Sequence, residues 1–256
     1  MKLQRRYIEK PWGRTELPPI FEAPKHKRIG EISFTNGGDL PLLAKYIFTS
    51  ERLSVQVHPD DDQARARGLA RGKSECWYIL EAGPGSELGL GLKREISADA
   101  LKRAALDGSV VDLMEWHRVR AGDFYFVPAG TIHAIGGNLS LFEFQQNLDV
   151  TYRLYDYGRP RELHVDDAVA IARRGPYPAT LAQRISTDEE HRLVESPPFT
   201  LVVSHRDELQ GRRRWVIPLE GEVRSGSDVA IPGDCLLLEA RDTLEGDARM
   251  LIGATA

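Results

Sequence analysis

Alternation of apolar and polar positions recurs along the chain and predicts a mainly β protein. In the run 53–58, apolar residues alternate with Ser54, Gln56 and His58, so these three side chains share one face of a strand. The proline that follows ends the strand, because it cannot donate to a neighbouring strand. We expect the polar face of this strand to point into a barrel.

A second patterned segment begins at Gly122, where a turn glycine opens an aromatic and β-branched run that ends at Pro128. Pro128 and Gly130 then bend the chain shortly before His133. The pattern predicts a strand followed by a tight turn, with His133 on that turn at the mouth of the barrel.

The remaining pattern predicts further strands and two helical segments. Residues 30–34 and 42–48 are predicted to form short strands that flank a barrel. Helical spacing appears at about 97–116, after the N-cap candidate Ser97, and predicts a small helical insertion. Residues 165–174 form an apolar stripe with arginines in the last turn, which predicts a second helix.

Two motifs of the first half recur in the second half. The run 77–83 is echoed by 215–221, and Gly122 with its aspartate is echoed by Gly233 with Asp234. The interval from tryptophan to glycine is 45 residues in the first copy and 18 in the second, a difference that the helical insertion largely supplies. This repeat predicts a bicupin, a fold of two jelly-roll β-barrels.

The repeat also predicts the domain organisation. Residues 1–165 are expected to form a metal-binding catalytic cupin that carries the helical insertion. Residues 166–256 are expected to form a linker helix and a second cupin-like barrel. This second copy has neither the Gln-x-His pair nor a histidine after its Gly-Asp strand, so we expect it to be metal-free.

Composition narrows the class of protein. The 256 residues are 41% hydrophobic, which is enough for a substantial core. The net charge of -4, with both signs interspersed, gives no electrostatic argument for a nucleic acid or an anionic membrane as partner. The chain has no apolar signal core and no membrane-spanning stretch, and it has two cysteines, so we expect a cytoplasmic protein that is a monomer or a weak homodimer.

Four residues have the types and the spacing of a cupin metal site: Gln56, His58, Glu75 and His133. Together they supply two imidazoles, a carboxylate and an amide oxygen, a set that suits zinc and also manganese, iron or cobalt. The alternative is that both histidines are ordinary hydrogen-bonded residues. Two separately patterned strands would then match a ligand set by chance, so we favour the metal site.

Charged residues beyond the ligands indicate the kind of substrate. Lys73 lies two residues before Glu75, so the two side chains share a strand face. Glu143, Asp149 and Arg153 follow the His133 strand. Such a collection beside a metal predicts a polyhydroxylated, anionic small molecule.

Several segments, in one order over about residues 10–165, resemble type I phosphomannose isomerase, the zinc-dependent mannose-6-phosphate isomerase, in its short bacterial form. They are Lys10-Pro11-Trp12-Gly13, Leu42 to Lys45, Leu53 to Asp61, Gly72 to Tyr78, Val127 to Ala134, and Asp149 to Pro160. The resemblance implies one zinc ion held by Gln56, His58, Glu75 and His133. It also implies reversible conversion of mannose 6-phosphate to fructose 6-phosphate.

The resemblance assigns roles to individual residues as well. Arg153 is expected to be essential to catalysis, with Lys73 and Asp149 lining the pocket. Lys45 and Ser54 are candidates for holding the substrate or its phosphate, and Trp12, beside a glycine, is expected to wall the pocket.

Aldose–ketose isomerisation moves a proton between C2 and C1, so it needs a base and stabilisation of negative oxygen. The sequence leaves the base open among Lys73, Asp149 and a metal-bound hydroxide, and it leaves a hydride shift open as well. Gly72 stands where some relatives of this family have a histidine. This departure leaves a more open pocket, or a different substrate, as interpretations. Two alternatives to the isomerase also remain: a non-catalytic sugar-phosphate-binding cupin, and a metal cupin enzyme with another substrate, such as an iron oxygenase.

Overall fold

A computed structural model describes residues 1–22, 24–186 and 190–256 of this mainly β chain. Strands β1 to β11 lie at Gln4–Arg14, Ile29–Thr35, Leu42–Thr49, Val55–Val57, Glu75–Ala82, Glu87–Leu92, Met114–Arg118, Asp123–Val127, His133–Ile135, Leu139–Gln146 and Tyr152–Tyr155. Strands β12 to β18 lie at Ala182–Arg184, His191–Glu195, Phe199–Ser204, Arg214–Ser225, Asp228–Ala230, Leu236–Leu238 and Glu245–Thr255. Helices α1 to α4 lie at Asp61–Arg65, Ala98–Asp107, Val110–Leu113 and Val165–Ile171, and a 3-10 turn lies at Ala179–Leu181.

The strands form three sheets within the described residues. The first sheet has the order β1-β2-β3-β10-β5-β8-β12, and the second has the order β11-β4-β9-β6-β7. The third sheet has the order β13-β14-β18-β15-β16, with β17 paired to β15. Neighbouring strands are antiparallel throughout, as expected for hairpins and longer antiparallel connections.

The first sheet lies at the centre of the molecule, because both of its faces carry buried side chains. One face packs with residues of the second sheet, in a cluster that includes Trp77, Leu90 and Leu141. The other face packs against the third sheet through residues that include Phe144 and Trp215. Helices α2 to α4 pack on the second sheet, with which they form a separate apolar cluster. Within the described residues, none of the helices is both long and apolar enough to span a bilayer.

The helical insertion is confirmed, with a different end. Ser97 caps α2, because its Oγ accepts a hydrogen bond of 3.2 Å from the backbone N–H of Ala100. Gly108 ends the helix in a left-handed conformation with φ of 85°, and the short α3 follows. The chain from Met114 onward is strand β7 rather than helix, because it pairs with β6.

The second predicted helix also ends early. Helix α4 stops at Ile171, so Arg173 and Arg174 are outside its last turn. The backbone N–H of Arg173 instead donates to the carbonyl of Gly130 at 2.7 Å. This contact ties the end of α4 to the turn that precedes His133.

The two Gly-Asp motifs form matching turns. Gly122 and Gly233 have φ of 86° and 94°. The carboxylates of Asp123 and Asp234 accept hydrogen bonds of 2.9 and 3.1 Å from the backbone N–H three residues earlier. Each turn leads into a strand that pairs with the tryptophan-containing strand of its own half.

A candidate metal centre beside a basic cavity

Three strands bring the predicted ligands together. His58 directly follows β4, Glu75 begins β5, and His133 begins β9. His133 was expected on a tight turn, but it is the first residue of a strand that pairs with Gln56. The turn itself lies just before it, where Gly130 has φ of 85°. His133 is therefore held by two neighbouring strands, β4 and β6.

His58, Glu75 and His133 form a compact buried triad. Their ligand atoms lie within 4.8 Å of one another, and each side chain is 1% exposed. The Nε2 atom of His58 lies 3.5 Å from one Glu75 carboxylate oxygen, and the Nε2 atom of His133 lies 3.3 Å from the other. One carboxylate thus lies between two imidazoles.

Backbone carbonyls determine which ring nitrogens are free in this triad. The Nδ1 atom of His58 lies 2.9 Å from the Val150 carbonyl, and that of His133 lies 2.9 Å from the Thr131 carbonyl. Because a carbonyl only accepts, Nδ1 carries the hydrogen in both rings and Nε2 keeps its lone pair. Orientation of ligand imidazoles by such hydrogen bonds is typical of metal sites.

Burial keeps both imidazoles neutral. Burial lowers the pKa of His133 to about 4, and burial followed by the charge of Lys73 moves the pKa of His58 well below its usual value. Two Nε2 atoms without hydrogens and a carboxylate therefore converge in a buried site. This set of donor atoms fits a divalent metal ion.

Lys73 supplies positive charge at this point. Its Nζ donates to Glu75 at 2.7 Å and lies 2.9 Å from Nε2 of His58, and the residue is 7% exposed. Strand geometry predicted that Lys73 and Glu75 share a face, and their contact confirms it. The ammonium group lies where it interacts with two members of the triad at once.

The predicted fourth ligand borders the triad. The Gln56 amide nitrogen lies 3.2 Å from His133 Nε2, and Ser54 Oγ donates to the Gln56 amide oxygen at 3.0 Å. Ser54 and Gln56 therefore share a face, as the alternation of this strand predicted. Only 55–57 of the predicted strand 53–58 has strand hydrogen bonding.

A cavity of about 440 Å³ lies beside the triad, since Gln56 and Lys73, which contact the triad, form part of its wall. Its wall contains every predicted site residue outside the triad, namely Trp12, Lys45, Ser54, Gln56, Lys73, Asp149 and Arg153. The pattern of the sequence missed other lining residues, among them Arg6, Glu31, Gln145 and Arg161. Arg161 could have been noticed from the cluster of charges at 149–161, whereas Gln145 gave no signal beyond its place in an apolar strand.

Buried charges in the cavity are largely paired. Lys45 lies 3.0 Å from Glu143 and 3.8 Å from Glu31, and it is 8% exposed. Burial opposes its charge, but these carboxylates raise the pKa of Lys45 above its usual value. Burial and the nearby Glu75 raise the pKa of Glu143, which also accepts a hydrogen bond from Trp77.

Arg153 differs from the other cations of the cavity. Strand β11 pairs it with Gln56, next to the triad. Its Nε is buried and has no hydrogen-bond partner among the residues that the structure describes. Burial, and then the charge of Arg161, lower the pKa of Arg153. An arginine in this position is suited to an anionic ligand.

Gly72 lies where the chain approaches itself closely. A Cβ atom there would lie 2.5 Å from the Asp60 carbonyl carbon and 2.7 Å from the Asp61 nitrogen. The Gly72 N–H also donates to the Asp61 carboxylate at 2.6 Å. Glycine is needed here because the loop that carries Lys73 packs directly on the segment after His58.

Comparison with known proteins supports this description. A mannose-6-phosphate isomerase of Streptococcus mutans is 39% identical over 169 residues, which cover 63% of this chain and 53% of that protein. ManA of Bacillus subtilis, named mannose-6-phosphate isomerase, is 39% identical over 162 residues, 60% of this chain and 50% of that protein. The chain thus spans about half the length of the curated relatives it matches. No family model matches the chain.

Solved structures match over nearly the whole chain. The mannose 6-phosphate isomerase from Bacillus subtilis has a TM-score of 0.74 and 25% identity, with 98% of each chain covered. A phosphomannose isomerase variant from Salmonella typhimurium has a TM-score of 0.75, covering 99% of this chain and 98% of that one. Its 14% identity means that this match concerns the fold alone. The resemblance predicted from the order of the motifs is confirmed by these relatives.

Proposed function

We propose that this chain is a metal-dependent aldose–ketose isomerase that interconverts mannose 6-phosphate and fructose 6-phosphate by proton transfer between C1 and C2. The observation that carries the proposal is the buried triad of His58, Glu75 and His133, whose Nε2 atoms carry no hydrogen and which contacts Lys73 and Gln56 on the wall of a basic cavity. The names of the relatives supply the substrate.

We propose that one zinc ion is held by His58, Glu75, His133 and Gln56. A half turn of the Gln56 amide would exchange its oxygen and nitrogen, so the oxygen would face His133 and the nitrogen would donate to Ser54 Oγ. The donor set lacks thiolates and mixes imidazole with oxygen, as catalytic zinc sites do. When bound, the ion supplies Lewis acidity toward the sugar oxygens.

Other side chains of the cavity are assigned to charge stabilisation and proton transfer. We propose that Arg153 stabilises the negatively charged oxygens of the substrate, since its buried Nε has no hydrogen-bond partner among the described residues. Lys73 and Asp149 remain proposed catalytic residues on the cavity wall. Glu143 joins the candidates for the base, because its raised pKa brings a carboxylate closer to the basicity that proton abstraction at carbon requires.

We propose that Trp12, Lys45 and Ser54 contact the substrate. Trp12 is 3% exposed and lines the cavity, so its ring can lie against the sugar. The charge of Lys45 is already offset by Glu143 and Glu31. Lys45 is therefore better suited to bind a sugar hydroxyl. The phosphate group is better suited to the side of the cavity that carries Arg153.

We further propose a bicupin with a catalytic unit at 1–165 and a metal-free unit at 166–256. The matching Gly-Asp turns and the third sheet, formed by strands after residue 190, support a second unit. Strand β12, which lies between the proposed boundary and this sheet, pairs with β8 of the first sheet. Helix α4 contacts α2 and β11, so the linker packs on the catalytic unit. Both cysteines are free and buried, which supports our proposal that the protein is cytoplasmic.

The deciding experiment is a coupled assay that follows fructose 6-phosphate formed from mannose 6-phosphate. Activity that disappears with a chelator and returns with zinc would establish the substrate and the metal together. Saturable binding of mannose 6-phosphate without turnover by the zinc-loaded protein would instead identify a sensor and overturn the proposal.

Two variants separate metal binding from chemistry in this assay. His133→Ala should lose zinc and activity together, because it removes a ligand. Arg153→Ala should keep stoichiometric zinc, measured by elemental analysis, while kcat falls at least about 100-fold. Near wild-type turnover of Arg153→Ala would refute the role given to this residue.

A further inference from the structure

Asp156 is a buried carboxylate that the proposed reaction does not use. It follows β11, its side chain is 1% exposed, and it accepts hydrogen bonds from two arginines. Arg161 binds it in a two-point ion pair, with Nε at 2.6 Å and Nη2 at 2.7 Å from the two carboxylate oxygens. Arg159 adds a third bond of 3.0 Å. Such fork-like pairing fixes the plane of a guanidinium group.

The two arginines point to different places. Arg161 lines the cavity, and its ion pair with Asp156 leaves Nη1 outside the pair. Arg159 extends instead to the carbonyl of Arg52 at 2.7 Å and the carboxylate of Glu51 at 3.3 Å. Asp156 therefore orients Arg161 at the cavity and holds Arg159 against the segment that contains Glu51 and Arg52.

Arg161 and Arg153 line the same cavity. The charge of Arg161 is the second cause, after burial, of the lowered pKa of Arg153. The buried Nε of Arg153 has no hydrogen-bond partner in the described part of the chain. Two guanidinium groups that line one cavity, one of them with a buried nitrogen that has no partner among the described residues, form a site for a dianion such as a phosphate group.

We propose that Asp156 is a positioning residue for substrate binding: it holds Arg161 beside Arg153 so that the pair binds the phosphate group of the sugar phosphate. This inference rests on the proposed function for the identity of the substrate. The anion site itself can be tested without turnover, because inorganic phosphate carries the same recognised group.

The direction in which phosphate affinity changes in one variant distinguishes a positioning role of Asp156 from an effect of its charge alone. Asp156→Asn removes a negative charge near the anion, so an effect of charge alone would tighten phosphate binding. A positioning role predicts the opposite, because Arg161 loses its two-point partner and regains rotamer freedom. We expect the dissociation constant of inorganic phosphate, measured by calorimetry on the zinc-loaded protein, to rise about fivefold to tenfold. We expect KM for mannose 6-phosphate to rise similarly, with kcat within about threefold of wild type.

Arg159→Gln is the matched control. It removes a bond to the same carboxylate, but from an arginine that does not line the cavity. It should lower thermal stability while phosphate affinity stays within about twofold of wild type. If Asp156→Asn does not fold, Arg161→Gln serves in its place and should show the same loss of phosphate affinity.

The outcomes keep this inference separate from the proposed reaction. Weakened phosphate binding in Asp156→Asn but not in Arg159→Gln supports positioning, even if the wild-type protein shows no isomerase turnover and the proposed function fails. Equal phosphate binding in all variants, tighter binding in Asp156→Asn, or no binding by the wild type would overturn it, whatever the isomerase assay shows.

Discussion

The candidate metal centre depends on how two histidines are oriented by backbone carbonyls. The carbonyls of Val150 and Thr131 hold the Nδ1 hydrogens of His58 and His133, so both Nε2 atoms are prepared for a cation. Neither histidine has to rotate or lose a proton at neutral pH, because burial keeps each ring neutral.

The first prediction concerns the stability of the metal-free protein against pH. The folded pKa of His133 is about 4, and the unfolded value is about 6.5, so the unfolded chain binds more protons between these values. Stability is complete above pH 6.5 and is lost as the pH falls toward 4, with about 3 kcal/mol from this residue. Denaturant titrations in the presence of a chelator should show this slope.

His133→Gln provides the comparison for that slope. The variant cannot titrate at this position, so its stability should fall less between pH 6.5 and 4, with His58 contributing what remains of the dependence. Identical pH dependence in the two proteins would contradict the buried neutral state of His133.

The second prediction concerns Lys73, which shares Glu75 and His58 with the proposed metal. Lys73→Met leaves a buried carboxylate without its cation, so the chelated variant should lose about 3 kcal/mol of stability. Zinc should restore more stability to this variant than to the wild type, because the ammonium group no longer competes for the same atoms. Thermal denaturation with chelator and with zinc measures both effects. A smaller zinc-induced shift in Lys73→Met would refute the competition.

Residue identities at this centre were predictable because strand alternation places Gln56 and His58 on one face, and Lys73 and Glu75 on another. The protonated nitrogen of each ring was not predictable, since it depends on carbonyls at Thr131 and at Val150, 92 residues from His58. Such partners come from strand pairing, which a single sequence does not specify.

At the scale of elements, the loop between α1 and β5 determines how closely the chain packs around the candidate metal centre. Gly72 packs on the backbone that follows His58, and the Lys73 N–H donates to the Pro59 carbonyl at 2.9 Å. The glycine therefore makes this loop tightly packed. The departure from the family pattern at this position had suggested a more open pocket instead.

The third prediction tests that loop. A methyl group at Gly72 would meet only backbone atoms, at 2.5 to 2.8 Å, so the segment must move. Gly72→Ala should cost about 1–3 kcal/mol and weaken zinc binding, because the segment carries His58 on one side and Lys73 on the other. Gly175→Ala is the control, since the nearest atom to its new Cβ lies at 3.9 Å. Equal zinc affinity and stability in both variants would contradict the packing argument.

The apolar pattern of the sequence predicted the type of each helix or strand better than the residue at which it ends. Apolar spacing and the cap at Ser97 identified α2, but the chain beyond Met114 pairs with β6 because the sheet offers it hydrogen bonds. Arginines 173 and 174 match a helix C-terminus in sequence, yet Arg173 pairs with Gly130 instead. Tertiary partners decided both ends.

At the scale of the whole molecule, the cavity is the feature that the sequence could least specify. Its wall combines Arg6 from the first strand, Glu31 from the second and Arg161 from a loop after the eleventh. Pairing of β10 with both β3 and β5 places Glu143 opposite Lys45 and Trp77. Long-range pairing of this kind assembles charges that lie far apart along the chain.

The fourth prediction concerns how the first and third sheets depend on each other. Phe144 is fully buried, and its ring lies 5.4 Å from that of Phe199 and 5.9 Å from that of Trp215. Gly253 makes room for it, because a Cβ there would lie 2.4 Å from the Phe144 ring. The two sheets therefore share one apolar core rather than packing through a separable interface.

Phe144→Ala should lower the free energy of unfolding by about 3–5 kcal/mol, since it leaves a cavity between the sheets. Because the core is shared, calorimetry of wild type and variant should show a single transition, at a lower temperature in the variant. Zinc release, followed with a metal indicator, should coincide with that transition, because the alternating strand that carries Phe144 places Glu143 and Gln145 on the cavity side. Two resolved transitions, with zinc retained through the first, would show that the third sheet unfolds independently of the metal centre.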